Sequence, residues 1–423
     1  MQTKNVPVEE LRGIVGEDNV REATAYDAVD GVEPSLVVEP GSTEEISAVM
    51  KLASSGGLAV APRGGGTKRT LGNPPRGFDL VLSTVRLEGI IEHVPGDQIV
   101  RVQSGVRLET LQDSLAEANQ MLALDPPEGG AGATVGGVVA ANSSGPRRYK
   151  YGTVRDLIIG ITVVLGDGTV AKAGGKVVKN VAGYDLSKLF TGSLGTLGVI
   201  ADANFRLHPR PESARTVAVE VETPQAAQGA AQAMVHSQVE ATAIELHWSE
   251  ETKLVSVLLE SIPAGIEAKE ETASFLLKPF GEVRTLSEDE VDNLGPLSPP
   301  GEQDEVVLKV AAPPVELSAV LDAVLGATGR RGVVQRITGH AGTGVAYVGL
   351  SGEEDAIVEV VEEVREIWVR RGGSVVVSEA PTSFKRRVDV WGAGGDYLGL
   401  TRRVKEKFDP GYTMNPGRFL GGI

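Results

Sequence analysis

The alternation of apolar and polar residues divides this chain into two parts of different character. From residue 35 the pattern predicts a strand (SLVVEP), a helix that begins with a Ser42 and Glu45 capping box and ends near Gly56, and a strand (LAVAP) that leads into a glycine loop. Further strands are predicted at 80–83, 89–94, 98–103, 157–165 and 199–207, with a helix at about 107–118. The first part is therefore predicted to be a mixed domain of helices and strands that opens with a βαβ unit.

After residue 208 the pattern becomes regular. Residues 212–287 are predicted to form a strand, a helix, two strands, a helix and a strand, and residues 305–379 repeat that order. A loop rich in acidic residues, proline and glycine lies between them at 288–304. This order predicts an α+β cap built from two ferredoxin-like βαββαβ units.

The predicted organisation therefore has four parts. They are an N-terminal helical segment (1–32), a first domain (33–211), a cap or substrate domain (212–382, with halves at about 212–287 and 305–379) and a C-terminal segment (383–423). A chain of 423 residues with 41% hydrophobic content suits more than one core. The C-terminal segment is rich in turn formers and is expected to return to the first domain.

Composition and charge narrow the choice of partners. A formal net charge of −16 disfavours binding to nucleic acid and to anionic lipid. The sequence contains no apolar run of about 20 residues, and its start, MQTKNVPVEELRG, lacks the pattern of a secretory signal. We therefore expect a cytoplasmic protein without membrane insertion.

Cysteine is absent from the sequence, which excludes disulfides, a catalytic thiol and an iron–sulfur cluster held by Cys ligands of this chain. Any such cluster would belong to another protein. The five histidines lie far apart without HxH or HExxH spacing, so the sequence predicts no metal site.

Three glycine-rich segments carry the candidate chemistry. The first, PRGGGTK at 62–68, follows a predicted strand and is either a phosphate-binding nest or a tight turn. The second has seven glycines between 129 and 152. The third is the glycine ladder, residues 192–198, in which Gly192, Gly195 and Gly198 recur at every third position. The sequence contains neither a GxGxxG turn after a strand nor a GxxxxGK[ST] loop. A dinucleotide held by several separated glycine segments favours a flavin.

These segments resemble a known family. RGGGT, then ATVGG, NSSG and YGTVRD, then GYDLSKLFTGSLGTLGVI are similar to the successive FAD-contacting segments of the vanillyl-alcohol oxidase/p-cresol methylhydroxylase (PCMH-type) flavoproteins. The resemblance covers about residues 33–211 and the tail FDPGYTMNPGRF. Within that family the chain is most similar to the FAD-binding E subunits of bacterial glycolate oxidases, whereas D subunits usually carry Glu at the position of Leu194. The resemblance implies a two-subdomain PCMH-type FAD-binding domain at 33–211.

The resemblance also implies a role for each matching position. The residues that would contact FAD in the first loop, the second glycine segment, the ladder and the tail are Arg63, Gly64, Gly65, Gly66, Thr67, Lys68, Gly132, Thr134, Gly136, Gly137, Asn142, Gly145, Gly152, Gly198, Val199, Ile200 and Asn415. Arg418 would lie near the flavin ring. Several relatives attach the flavin to a His in the first loop, where this sequence has Thr67. Noncovalent FAD is therefore expected.

The catalytic residues stay unknown at this stage. Relatives that oxidise 2-hydroxy acids carry an HxGDGNxH cluster, and the nearest segment here, ITGHAGTGVAYVG, leaves His340 alone in what is predicted as a surface loop. A substrate or partner contact is the alternative for His340. The other candidate bases are His247, Tyr151 and Lys179. The basic residues Arg147, Arg148, Lys150 and Lys176 either attract a carboxylate substrate or the FAD phosphates or belong to a solvated loop, and Tyr184 either flanks the flavin ring or belongs to the core. Lys385, Arg386 and Arg387 are candidates for an interface.

Three functions fit these observations. The first is the FAD-binding subunit of a glycolate (2-hydroxy-acid) oxidase or dehydrogenase complex, whose partners would be a second flavin subunit and an iron–sulfur subunit. The second is a self-sufficient FAD-dependent 2-hydroxy-acid dehydrogenase. The third is a noncatalytic assembly subunit.

Overall fold

The computed structural model describes residues 6–175, 185–295 and 305–423. In chain order the strands are β1 (Val20–Glu22), β2 (Leu36–Val38), β3 (Val60–Arg63), β4 (Leu80–Ser83), β5 (Ile90–Val94), β6 (Ile99–Gln103), β7 (Gln120–Met121), β8 (Ile158–Val164), β9 (Val170–Gly174), β10 (Val199–Arg206), β11 (His208–Pro209), β12 (Ser213–Glu220), β13 (Ala243–Trp248), β14 (Lys253–Ser261), β15 (Val283–Leu286), β16 (Val306–Ala311), β17 (Val334–His340), β18 (Val345–Ser351) and β19 (Ser374–Glu379).

The α-helices alternate with these strands in both halves of the chain. They are α1 (Val8–Val15), α2 (Thr43–Ser55), α3 (Leu108–Ala116), α4 (Val135–Ala141), α5 (Arg148–Tyr151), α6 (Val154–Leu157), α7 (Leu186–Phe190), α8 (Pro224–Val235), α9 (Pro263–Leu277), α10 (Glu288–Asn293), α11 (Leu317–Gly329), α12 (Glu354–Arg370), α13 (Thr382–Lys385) and α14 (Leu398–Phe408). The α+β class is confirmed.

The chain packs as two compact units. The first contains the described residues of Met1–Ser144, Thr153–Arg210 and Ala393–Ile423, and the second contains Gly145–Gly152 and the described residues of Pro211–Gly392. These limits differ from the predicted domains at two places, because 145–152 and 383–392 pack with the second unit. The segment 1–32 is also more than helical, since β1 pairs with β2.

The first unit contains two larger sheets. In the first, of order β1-β2-β4-β3, the last three strands are parallel, and β4 lies between β2 and β3 of the predicted βαβ unit. Helix α2 begins at Ser42, whose Oγ accepts a hydrogen bond from the Glu45 N–H, as its capping residues predict. The second sheet is antiparallel, of order β5-β6-β10-β8-β9. Strands β3 and β10 both border glycine-rich loops, and this places the loops of the candidate site.

The second unit is built on an eight-stranded antiparallel sheet of order β15-β12-β14-β13-β17-β18-β16-β19. Its two halves follow the predicted order of elements and meet where β13 pairs with β17. Alternate strand residues such as Ile244, Leu246 and Ile337 join the buried core with residues of α8, α11 and α12. The residues between them, including Glu245 and His340, therefore lie on the opposite face of the sheet.

Candidate functional site

A deep cleft opens in the first unit where three glycine-rich segments and the C-terminal tail meet. It encloses about 1080 Å³ of space, its open mouth included. The lining comes from the loop after β3, from the start of α4, from the segment before β10 and from the tail near Asn415. A concave site lined by several glycine-rich segments is a candidate ligand site.

The first loop reaches the second segment at distances that only glycine allows. A Cβ on Gly64 would lie 2.0 Å from Thr134 Oγ1, and one on Gly65 would lie 2.0 Å from the carbonyl oxygen of Gly132. The Gly65 N–H donates a long hydrogen bond of 3.4 Å to Thr134 Oγ1, which also caps α4 by accepting from the Gly137 N–H. The two loops therefore pack closely at the cleft wall. Without side chains in between, their backbone N–H groups can reach an anionic ligand directly.

A buried serine supports a polar ligand in this cleft. A Cβ on Gly136 would lie 2.6 Å from Ser104 Cβ, so the start of α4 packs directly on that residue. Ser104 lines the cleft, and its buried Oγ makes no hydrogen bond within the described part of the chain. Because buried hydroxyl groups are normally paired, a ligand with polar oxygens is the natural partner. The glycine backbone of the first loop and the Ser104 hydroxyl fit the phosphates and sugar hydroxyls of FAD.

The glycine ladder forms a further wall. Gly195 has a φ of +68° and Gly198 a φ of +159°, and a Cβ on Gly195 would lie 3.1 Å from Pro62 Cγ. The tail holds this ladder, because Asn415 Nδ2 donates to the Leu194 carbonyl at 2.7 Å. The Asn415 N–H also donates to the Val60 carbonyl at 2.8 Å. Asn415 thus links the ladder to β3.

Charged residues at the cleft are paired. Arg63 Nη1 donates to Asp27 Oδ1 at 2.7 Å, and Arg21 contacts the same carboxylate. The hydrogen bond from Arg21 holds the pKa of Asp27 well below its usual range, although burial opposes it. Lys68 forms an ion pair with Glu128. The cleft therefore offers FAD neutral backbone donors next to Arg63 and Lys68, which each have a carboxylate partner.

A second cluster of polar side chains lies in the second unit, on the face of its sheet opposite the core that α8, α11 and α12 cover. The strand register aligns Lys309, Tyr347, Thr338 and His247 in one row across β16, β18, β17 and β13. The neighbouring row pairs His340 with Glu245. Four adjacent strands thus contribute ionisable or hydroxyl groups to one surface.

His340 is buried, and its prediction as part of a surface loop is wrong. Its side chain is 1% exposed, and its Nδ1 lies 2.8 Å from Glu245 Oε2. Burial lowers the pKa of His340 well below its ordinary value, and the charges of Arg148 and Lys309 lower it further. The ring is therefore neutral near pH 7, and an Nδ1–H donated to Glu245 leaves Nε2 as the acceptor nitrogen.

The basic segment 145–152 is anchored on the same unit. Arg147 Nη2 donates to Glu260 Oε1 at 2.8 Å, and Tyr151 Oη and Thr242 Oγ1 donate to Glu260 Oε2 at 3.3 and 3.1 Å. Glu260 is buried. Burial, together with the Glu260 charge, raises the pKa of Tyr151 to about 12. Arg147 is therefore ion-paired, and the solvated-loop alternative does not describe it.

Comparison with known proteins gives the family. A family model described as FAD binding domain matches residues 34–174, and a model described as FAD linked oxidases, C-terminal domain, matches residues 302–419. The solved structure of p-cresol methylhydroxylase superposes with a TM-score of 0.76 over 97% of this chain and 95% of its own, at 15% identity, which shows a shared fold. The chain is a FAD-binding, PCMH-type flavoprotein.

The relatives of this flavoprotein include two glycolate oxidase subunits and a D-lactate dehydrogenase. It is 37% identical to glycolate oxidase subunit GlcD of Bacillus subtilis over 226 residues, 51% of this chain and 47% of that protein. It is 39% identical to glycolate oxidase subunit GlcE of Escherichia coli over 159 residues, 38% and 45% of the two chains. It is 28% identical to the D-lactate dehydrogenase of Archaeoglobus fulgidus over 411 residues, 92% of each. The flavoprotein thus spans about half the length of the two glycolate oxidase subunits.

The structure brings most of the predicted FAD contacts together. The predicted residues that line the cleft are Arg63, Gly64, Gly65, Gly66, Thr67, Lys68, Thr134, Gly136, Gly137, Gly198, Val199, Ile200 and Asn415. Gly132 backs the first loop, and Asn142 ends α4 beside Gly192. Gly145 and Gly152 belong to the second unit. Whether each residue contacts FAD stays a prediction, and Lys176, Lys179 and Tyr184 lie outside the described residues.

Several residues of the flavoprotein's sites were not predicted from the sequence. Asp27 and Ser104 line the cleft but stand in segments without a glycine motif, so nothing in their neighbourhood signals a ligand. Arg418 does line the cleft, but its guanidinium donates to Asp30 and to carbonyl groups of the loop at 69–73. Its visible role is to hold that loop.

Two further features bear on possible partners of the flavoprotein. Within residues 6–175, 185–295 and 305–423, no group of three or more His, Asp or Glu side chains is arranged to hold a metal ion. None of the helices in that same part of the chain is both long and apolar enough to span a membrane.

Proposed function

We propose that this chain is a FAD-dependent oxidoreductase that oxidises the CH–OH group of a 2-hydroxy acid. The observation that carries the proposal is the glycine-walled cleft with its buried Ser104 hydroxyl, in a chain whose relatives are named glycolate oxidase subunits and a D-lactate dehydrogenase. FAD supplies a two-electron acceptor when it is bound. The assignment of FAD binding to the first unit and of substrate binding to the second is part of this proposal.

The cofactor is bound without a covalent link. Position 67 is a threonine, and the cleft residues 63–68 contain neither His, Cys nor Tyr that could form a bond to the flavin. The backbone of Gly64, Gly65 and Gly66 would hold the pyrophosphate, and Ser104 Oγ would donate to an oxygen of FAD. FAD is therefore released by denaturation.

The substrate binds on the polar face of the second unit's sheet. Arg148 and Lys309 supply positive charge near His340, which suits the carboxylate of a 2-hydroxy acid. The neutral His340 ring, oriented by Glu245, accepts the hydroxyl proton at Nε2. Loss of that proton and of two electrons with the α-hydrogen yields the 2-oxo acid. His340 is thus favoured over His247 and Tyr151 as the base.

The chain acts as the FAD-binding, E-type subunit of a glycolate oxidase complex. Its matches to GlcD and GlcE support this role, and the absence of cysteine requires any Cys-ligated iron–sulfur cluster to lie on a partner. A second flavin subunit completes the proposed complex in the cytoplasm. One observation favours a self-sufficient dehydrogenase instead, namely the match to a D-lactate dehydrogenase over 92% of both chains.

The test begins with the purified chain reconstituted with FAD. Its visible flavin spectrum is followed under anaerobic conditions as glycolate or D-lactate is added, with L-lactate as a stereochemical control. Bleaching by the chain alone supports the self-sufficient dehydrogenase, and bleaching only with partner subunits supports the complex. A chain that binds FAD but stays oxidised in both settings is an assembly subunit, and a chain that binds no FAD refutes both enzyme proposals.

A further inference from the structure

A lysine of the C-terminal helix is completely buried in the first unit. The Lys405 side chain is 0% exposed, and its Nζ donates to Asp409 Oδ2 at 2.6 Å, to the Thr196 carbonyl at 2.7 Å and to the Met414 carbonyl at 2.8 Å. An ammonium group has three N–H donors, so these acceptors use all of them. Burial lowers the pKa of Lys405, and the charge of Asp409 opposes that effect.

Two of the three acceptors belong to backbone that borders the cleft. Thr196 lies in the ladder between Gly195 and Gly198, which both line the cleft, and Met414 precedes Asn415. One ammonium group therefore joins the ladder and the tail. Because Asn415 Nδ2 separately donates to the Leu194 carbonyl, the tail contacts the ladder at two successive points.

The carboxylate beside Lys405 is equally buried. The Asp409 side chain is 1% exposed, and its oxygens also accept from the Thr413 N–H at 3.0 Å and the Met414 N–H at 2.8 Å. Phe408 packs edge-on against Phe190, which precedes the ladder, with ring centroids 5.8 Å apart. This aromatic pair already provides apolar contact between the C-terminal segment and α7, the helix that precedes the ladder.

A buried ion pair contributes little to folding stability by itself, because the cost of desolvating the two charges offsets their attraction. Apolar residues of similar volume often stabilise a fold equally well. Its hydrogen bonds are directional, however, and they fix the position of the ladder relative to the tail. The cleft wall depends on this relative position, because the ladder and the tail together present backbone groups to the ligand.

We propose that Lys405 is a positioning residue for FAD, and that with Asp409 it holds the ladder and the tail in the arrangement that binds the cofactor. The proposal rests on the cleft being the FAD site, as stated under the proposed function. It does not depend on which hydroxy acid is oxidised. Lys405 itself has no part in the chemical step.

The test compares FAD affinity in Lys405→Met with that in Lys407→Met, an exposed lysine of the same helix. Apoprotein is titrated with FAD, flavin fluorescence gives the Kd, and urea unfolding of the apoprotein gives its stability. We expect Lys405→Met to weaken FAD binding by about ten- to hundredfold. This is the loss of affinity typical at metal sites when a residue that orients a direct ligand is removed, and Lys405 would orient the FAD contacts in the same way. Lys407→Met should bind as the unaltered chain does.

The double variant Lys405→Met/Asp409→Asn separates positioning from stability. It removes the buried negative charge that Lys405→Met leaves without its cation, and the amide oxygen can still accept from one of the two backbone N–H groups that Asp409 binds. Apoprotein stability should therefore partly recover. FAD affinity should stay low, because the bonds to Thr196 and Met414 are still missing. Recovery of affinity together with stability overturns the proposal, as does wild-type affinity in a folded Lys405→Met. Failure of the unaltered chain to bind FAD would instead refute the proposed function and the positioning role together.

Discussion

Gly64 is one of the positions in the cleft wall where a side chain has no room. Gly64→Ala would place a methyl group 2.0 Å from Thr134 Oγ1, so the first loop must move away from α4. We expect apoprotein stability to fall by about 1–3 kcal/mol, as for other overpacked sites. The Kd for FAD, measured by fluorescence titration, should rise at least about tenfold, equivalent to a loss of about 1.4 kcal/mol of binding free energy.

Gly130→Ala is the matched control for that variant. Gly130 stands in the second glycine segment, but a Cβ there would meet nothing within 4 Å. Its stability and FAD affinity should therefore stay close to those of the unaltered chain. Equal effects from the two substitutions would show that the close approach of the two loops is unimportant for FAD.

A buried histidine makes the stability of the second unit depend on pH. Burial lowers the pKa of His247 from 6.5 to about 4, so below pH 6.5 the unfolded chain takes up a proton that the folded chain does not. The free energy of unfolding should therefore decrease as the pH falls from 6.5 to about 4, by up to about 3 kcal/mol for this residue. Urea unfolding at several pH values measures the slope. His247→Asn should make the slope smaller but not zero, because burial also lowers the pKa of His340. An unchanged slope in that variant would contradict the assignment.

The pairing of β13 with β17 brings together two residues that the sequence separates widely. If the Glu245 and His340 pair supplies the base, His340→Gln should slow anaerobic flavin reduction by about 10²- to 10⁴-fold. FAD affinity should not change, because neither residue lines the cleft. Stopped-flow absorbance measures the rate. His236→Gln, at an exposed histidine of the same unit, is the control and should react at the normal rate.

The same strands explain what sequence patterns can and cannot provide. Alternating apolar residues predicted β13 and β17 as strands, but periodicity does not reveal that Glu245 opposes His340, because pairing register depends on a distant partner. The glycines on both sides of His340 favoured a loop, and Gly339 is in fact tolerated inside β17 because the backbone of β18 approaches it closely. Helix α14 lies in a turn-rich C-terminal segment and was not predicted. Its buried residue, Lys405, contacts Thr196, which lies 209 positions earlier in the chain and gives no local signal.

On the scale of the whole molecule, the cleft is assembled from segments that span almost the entire chain, from Asp27 to Arg418. Composition and spacing identified the glycine segments, and the family resemblance supplied their roles. The long-range pairs that complete the cleft, such as Lys405 with Thr196, had no signal in the sequence. Ordering these distant segments costs chain entropy, so a bound ligand that contacts several of them should stabilise them together.

Hydrogen exchange with and without FAD tests this coupling. At FAD concentrations of about 100 times Kd, binding adds about 2.7 kcal/mol to the stability of the folded chain. Exchange that requires opening of the cleft should slow accordingly at 63–71, 134–141, 194–200 and 414–418. Helix α12 packs on the core of the second unit and contributes no residue to the cleft. Amides of α12 that exchange by local opening should therefore exchange at the same rate with and without FAD. If only one glycine segment were protected by FAD, the cleft would not be a single binding site. Equal slowing in α12 and the cleft would mean that FAD acts through global stability instead of local contact.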